Sequence, residues 1–238
     1  MSKPLYRRIL VKLSGEFLGN LKDKVSSNNP LNSFICQVKD IKKDTSLEIA
    51  IVGGAGNIIR GLSAQENGID RYTSDYMGMI GTLINALYLK DMLSKNGMKS
   101  AIMSALEIKN ICPLFAKDRA LKLLGKGEIV ILPGGTGNPY FTTDTAAALR
   151  TIELEADILL KATKVDGVYN CDPVINPKAN KFDHLTYQQV IEKNLKVMDL
   201  TAISLCKENN LPIIVFDIQK PNSISRILKG EKVGTIIK

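Results

Sequence analysis

At 238 residues, 45% of them hydrophobic and 24% charged, the chain is long enough for one large α/β domain or two small ones, and its composition is that of an ordinary globular protein. No window approaches the roughly 18 uninterrupted apolar residues of a membrane helix. The opening Met-Ser-Lys-Pro leads into no apolar signal region or cleavage site, so the expectation is a soluble cytoplasmic protein with no membrane partner. The net charge of +8 is dispersed, without an Arg/Lys block or interleaved aromatics, which argues against a nucleic-acid partner and suits a polyanionic small molecule.

In chain order, apolar runs predict strands over residues 8–13, 48–52, 99–103, 128–132, 157–162, 212–217 and 234–237. Several of these runs are continuous rather than alternating, as in strands covered on both faces. Helices are expected between them, over about 30–43, 75–95, 115–124, 144–154, 198–208 and 223–228. This alternation predicts a three-layer α/β/α sandwich with a mainly parallel central sheet. The polar stretch 20–29 reads as a mobile loop, and 172–181 as a second loop rich in Pro, Asn and Lys. No repeat or long linker divides the chain, so a single domain over 1–238 is expected.

Glycine clusters follow three of the strands: Ser14-Gly15, Gly53-Gly54-Ala55-Gly56-Asn57, and Gly134-Gly135-Thr136-Gly137-Asn138. Any one of them is compatible with simple turn chemistry. Three at corresponding strand ends would floor a cleft with backbone N–H groups, at the edge where open parallel sheets bind ligands. Neither a GxGxxG fingerprint nor a GxxxxGK[ST] loop occurs, which excludes a Walker-type kinase.

Side chains at the same edge carry charge. Lys12 ends the first strand, where it is either a surface lysine or a point charge for a phosphate. Arg60 follows the second cluster and is expected one turn into a helix whose N-terminus faces an anion. In the third loop, Thr136, Asn138, Thr142 and Thr143 offer neutral donors and acceptors. One of the last two is alternatively a helix cap. Asp144 falls in a first helical turn, where a carboxylate is favourable in itself, and is also a candidate to hold magnesium or orient a lysine. Lys161 ends another strand, and Thr163 begins the loop after it. Tyr169 is a candidate to stack on a base, or the segment is a turn built on Asp166-Gly167.

What is missing is also informative. His184 is the only imidazole, so no Ser-His-Asp or Cys-His set exists. Cys36, Cys112, Cys171 and Cys206 form no Cys-x-x-Cys pair, which excludes a zinc site and a disulfide framework. Phosphoryl transfer needs neither, because it relies on positioning and charge neutralisation. A phosphate acceptor is already largely ionised near neutral pH.

The segment from Tyr6 through Leu13-Ser14-Gly15-Glu16 resembles the opening of bacterial UMP kinases, members of the amino-acid-kinase superfamily. The likeness continues through Asp75-Tyr76-Met77-Gly78-Met79, Thr136-Gly137-Asn138-Pro139-Tyr140-Phe141-Thr142-Thr143-Asp144 and Gly230-Glu231-Lys232-Val233-Gly234-Thr235, and covers nearly the whole chain. The resemblance implies ATP and UMP as substrates, Mg2+ as cofactor, a homohexamer and feedback inhibition by UTP. Lys12, Leu13, Ser14, Gly15, Gly56 and Arg60 would then meet the ATP phosphates, and Thr163, Tyr169 and Asp172 the adenosine end. Gly54, Ala55, Asp75, Thr136, Gly137, Asn138, Pro139, Tyr140, Phe141, Thr142 and Thr143 would hold UMP. Lys12, Asp144 and Lys161 would be catalytic.

Two departures from the family pattern stand out. Ala55 replaces the middle of three consecutive glycines, and a left-handed backbone there would strain it. Residues 21–29 are polar and lack the usual glycine-rich pattern of the region tied to GTP activation, which puts such activation in doubt. The rival readings are another amino-acid kinase, acting on carbamate, aspartate or acetylglutamate, and a catalytically silent uridine-nucleotide sensor or nucleic-acid-binding regulator on the same fold.

Overall fold

Six consecutive buried residues form β1 (Arg8–Leu13), and the pleat divides them between two apolar layers. Ile9, Val11 and Leu13 pack in one layer, and Leu10 in the other. Strand β2 (Glu48–Gly53) repeats this, with Ile49 and Ile51 on the first side and Ala50 and Val52 on the second. A strand covered on both faces has no polar side to show, so its sequence is a continuous apolar run. The computed structural model describes residues 5–19, 30–44, 46–59 and 68–238. The expected loop at 20–29 and Arg60 with its expected helix lie outside the described residues.

The remaining strands are β3 (Ser100–Ile102), β4 (Ile129–Ile131), β5 (Ile158–Thr163), β6 (Val168–Tyr169), β7 (Lys181–Phe182), β8 (His184–Leu185), β9 (Ile213–Asp217) and β10 (Thr235–Ile237). Eight of them form one sheet in the order β3-β4-β2-β1-β5-β9-β10-β8, and β6 pairs with β7 as a separate hairpin. From β3 to β9 every pairing is parallel. β10 runs antiparallel to β9, and β8 parallel to β10. Gly234 admits this reversal. Its φ is +76°, and a Cβ there would lie 2.1 Å from the Val215 carbonyl oxygen, so only glycine fits.

The helices are α1 (Pro30–Asp44), α2 (Arg71–Lys95), α3 (Lys117–Gly125), α4 (Thr143–Glu153), α5 (Tyr187–Glu192), α6 (Leu200–Glu208) and α7 (Ser223–Leu228). α1, α2 and α7 cover the first face through Phe34, Leu89 and Ile224, among others. α3 to α6 cover the second through Leu124, Ala147, Val190 and Ile203. The expected three-layer α/β/α sandwich is what forms. Among the described residues, no helix is long and apolar enough to cross a membrane.

Boundary differences have local causes. α2 starts a turn earlier than periodicity suggests because the Asp70 carboxylate accepts the Thr73 N–H at 3.0 Å, a helix N-cap. β3 and β4 are shorter than expected, yet Ile129 still donates to the Lys99 carbonyl and Met103 to the Ile131 carbonyl, each at 3.0 Å. β6, β7 and β8 are two residues each, too short to leave a periodic signal. α5, not among the expected helices, is fixed by a capping box between Thr186 and Gln189.

Candidate active site

The three glycine clusters meet at the carboxyl edge of the sheet. A Cβ on Gly15 would lie 2.3 Å from the Gly56 nitrogen, so the first cluster must be glycine for the second to pass beside it. Gly54 N–H donates to the Leu13 carbonyl at 2.9 Å. A Cβ built on Gly54 would stand 3.5 Å from the Thr143 hydroxyl oxygen, which brings the third loop to the second. Turn chemistry alone does not pack three loops on one another.

Strand pairing aligns the basic residues. Lys12 on β1 and Lys161 on β5 are direct partners across the parallel pair. Each lies two residues beyond a residue of the α4 side, Leu10 and Leu159, so both side chains share that face and emerge beneath the N-terminus of α4. Asp144, in the first turn of α4, joins them. Lys12 Nζ lies 2.8 Å from Oδ1 and Lys161 Nζ 2.6 Å from Oδ2. Lys161 also donates to the Val197 carbonyl. The three side chains are only 10–14% exposed.

Burial by itself would raise the Asp144 pKa, but the two ammonium groups outweigh it and hold the carboxyl below its ordinary value. Burial, together with neighbouring Lys12, pushes Lys161 below the ordinary lysine value, against the pull of Asp144 and Asp199. The result is two cations and one anion held in a dry setting, a net positive charge aimed at the edge where the loops meet.

Beside this triad is a cavity of about 130 Å³. Ala55, Gly56 and Ile59 line it from the second loop, and Gly135, Thr136, Asn138, Phe141 and Thr143 from the third. Ser74, Asp75, Gly78, Met79 and Thr82 of α2 complete it. Asp75 Oδ2 accepts from Arg71 Nε at 2.9 Å and from the Tyr140 N–H at 2.7 Å. Tyr140 has φ +72° and is exposed, with the Arg71 guanidinium 5.6 Å from its ring centroid. This residue therefore turns its ring outward and its N–H toward Asp75. Gly137, Pro139, Tyr140 and Thr142 shape the loop without lining the cavity.

Thr142 is the α4 cap. Its hydroxyl accepts from Asp144 N at 3.0 Å and Thr145 N at 3.3 Å, and donates to Asp199. Asp199 also accepts from Thr145 Oγ1 at 2.8 Å and caps α6 through Ala202 N at 2.9 Å. One carboxylate thus pins two helix N-termini beside Lys161. Sequence reasoning missed Asp199, although an Asp directly before a helical stretch is a cap signal. The strain feared at Ala55 is absent, because its φ is not positive.

The residues expected at the adenosine end lie apart from the cavity. Thr163 ends β5 and donates to the Val165 carbonyl at 2.5 Å. Tyr169, on the β6–β7 hairpin, donates its hydroxyl to Asp166 Oδ1 at 2.5 Å. Asp166 also faces Lys220 at 2.9 Å and Lys181 at 3.4 Å. The tyrosine hydrogen bond leads, with both lysines, in lowering its pKa to about 2. Asp172 is exposed and accepts the Val174 N–H at 2.8 Å.

Among the described residues no cluster of three or more His, Cys, Asp or Glu could hold a metal. Asp144 meets a lysine at each of its oxygens.

A phosphate-binding α/β protein with a Lys–Asp–Lys triad is the class that this fold and site define. The model of the amino acid kinase family matches residues 7–217. The uridylate kinase of Bacteroides thetaiotaomicron is 46% identical over 232 residues, 98% of each chain. Among solved structures, the UMP kinase of Ureaplasma parvum superposes with a TM-score of 0.89 at 38% identity, covering 100% of both chains. The UMP kinase of Bacillus anthracis gives a TM-score of 0.88 at 38% identity, covering 98% of this chain and 96% of that one. The chain belongs to the amino acid kinase family, and within it to the uridylate kinases.

Proposed function

We propose that the protein transfers the γ-phosphoryl group of ATP to UMP, giving ADP and UDP, in pyrimidine nucleotide synthesis. The observation that carries this is the buried Lys12–Asp144–Lys161 triad beside a cavity walled by the second and third glycine loops. A phosphate oxygen of UMP attacks the γ-phosphorus as the bond to the β–γ bridging oxygen breaks, and ADP leaves. The acceptor is largely a dianion near neutral pH, so no general base is required. Charge builds on the transferring group and the leaving oxygen, and two preorganised ammonium groups stabilise it. Asp144 holds both lysines in place.

In this reading, Gly54, Ala55, Asp75 and residues 136–143 hold UMP. Lys12, Leu13, Ser14, Gly15 and Gly56 meet the ATP phosphates, with Thr163, Tyr169 and Asp172 at the adenosine end. The chain acts as one domain, its N-terminal part binding UMP and its C-terminal part ATP. Mg2+ arrives with ATP and is held by phosphate and water oxygens. Met77, Ile80, Ile84 and Leu87 lie along one exposed face of α2, and this apolar stripe supports self-association, up to a homohexamer.

A coupled assay offering UMP, carbamate, aspartate or acetylglutamate with Mg-ATP tests the reading. ADP release is expected with UMP. Release with carbamate and not UMP would overturn it. The intact triad speaks against the silent-sensor alternative.

A further inference from the structure

Three neighbouring positions on the loop-facing side of α2 carry residues that a helix interior does not favour. Gly81 costs helix stability relative to alanine. Thr82 and Asn85 are 3% and 1% exposed, and burying such groups is costly unless they are hydrogen-bonded. Each one serves a glycine loop.

Gly81 makes room for Ala55, since a Cβ built there would lie 2.9 Å from the Ala55 Cβ. Asn85 Nδ2 donates to the Gly54 carbonyl and to Asn57 Oδ1, both at 2.8 Å. Asn57 Nδ2 returns a bond to Asn85 Oδ1 at 3.1 Å and another to the Gly19 carbonyl at 2.7 Å. The second loop is therefore tied to α2 through the Gly54 carbonyl and the Asn57 side chain, and to the turn after β1 through Asn57. Thr82 Oγ1 donates to the Met79 carbonyl at 2.6 Å and accepts the Gly134 N–H at 2.7 Å. Gly134, with φ +88°, opens the third loop.

We infer that Thr82 and Asn85 are positioning residues that set the separation of the two glycine loops across the cavity, and so the placement of UMP. Their polar groups are engaged with the loops and the helix backbone, so they act through Gly54, Asn57 and Gly134. Residue spacing on one helix turn fixes the distance between two loops that are far apart in sequence. A rigid helix is a more accurate ruler than the loops themselves, and small misplacements of reacting groups cost much rate. This inference rests on the assignment of the cavity to UMP made above.

The test compares Thr82→Val, Thr82→Ser and Asn85→Ala with the wild-type enzyme. Valine keeps the shape of threonine but leaves the Gly134 N–H without its acceptor. The KM for UMP is expected to rise about tenfold in Thr82→Val and Asn85→Ala, the scale of a lost buried hydrogen bond. The KM for ATP should stay within about twofold, and Thr82→Ser, which keeps the hydroxyl, should recover most of the loss seen in Thr82→Val. Equal rises in both KM values, or a serine variant as impaired as valine, would overturn the inference. Hydrogen exchange at the Gly134 amide of the unliganded protein gives a readout without substrate. It should quicken in Thr82→Val and not in Thr82→Ser. Unchanged exchange in Thr82→Val refutes the positioning role even in an enzyme active on UMP. Absent turnover of UMP by the wild type, with exchange behaving as expected, refutes the cavity's assignment and leaves the loop seating standing.

Discussion

Lys12 and Lys161 are register partners on adjacent parallel strands, and a single carboxylate, Asp144, bridges their ammonium groups. Two lysines so placed would repel each other in a buried setting. Asp144 offsets much of that repulsion while leaving one net positive charge at the sheet edge. In the proposed reaction this arrangement would stand ready before substrate arrives, so that little reorganisation is needed as charge builds on the transferring phosphoryl group.

Lys12→Ala should fold, since β1 is held by its apolar neighbours and Asp144 retains Lys161. Turnover with ATP and UMP should fall by roughly 100- to 1000-fold, the scale of losing one preorganised donor. Steady-state kinetics and a thermal unfolding scan on the same preparation check both halves. Near-normal turnover would remove Lys12 from the mechanism.

Activity should decline at alkaline pH along a limb below the ordinary lysine pKa of 10.5, because burial and Lys12 lower Lys161. Asp144→Asn should move that limb to still lower pH, since Asp144 is a group that raises Lys161. The same change leaves two buried cations without their anion and should destabilise the fold by roughly 3 kcal/mol. Asp144 has a depressed folded pKa. Its stabilisation is thus present above its unfolded value of 3.8 and lost as pH falls through the lower, folded one. Profiles of kcat against pH and denaturant titrations at several pH values measure these shifts.

Ala55 and Gly81 should behave as a coupled pair. Gly81→Ala alone forces a Cβ to 2.9 Å from that of Ala55 and should cost about 1–3 kcal/mol as overpacking. Combining it with Ala55→Gly removes the clash and restores a helix-favouring alanine in α2, recovering most of that loss. A double-mutant cycle by urea unfolding measures the coupling, and simple additivity would contradict the contact.

Asp166→Asn should lower the Tyr169 pKa toward its ordinary value of 10.0, because the Asp166 carboxylate is the main cause of its rise. With the wild-type Asp166 pKa at about 2, the stability from this cluster is complete above an unfolded value near 3.8 and lost as pH falls to about 2. The variant should lack that acid component. Tyrosine-labelled NMR titration and acid unfolding curves report the two effects.

Much of the fold was legible in local patterns. Continuous apolar runs such as Ile9–Val11 announced strands buried on both faces, and the glycine clusters after them marked the sheet edge where the three loops meet. Lys12, Asp144 and Lys161 were legible as charges at strand and helix ends, but a surface lysine or a first-turn carboxylate has a structural reading of its own, and their pairing needed the fold. Tyr140 was legible as a loop residue but not as one that turns its ring to solvent, because its φ depends on a bond to Asp75, 65 positions away.

The sequence by itself determined the strand–helix alternation, the chemistry of the loops and the family, because these rest on periodicity and on residue types next to one another in the chain. Only the tertiary structure decided that Lys12 and Lys161 are strand neighbours, that Asp199 pins two helices, and that Gly81, Thr82 and Asn85 seat two loops. Those relationships depend on strand order and on which helix crosses which loop. They are set by burial of the two apolar layers, a sum over the whole chain that no local pattern carries.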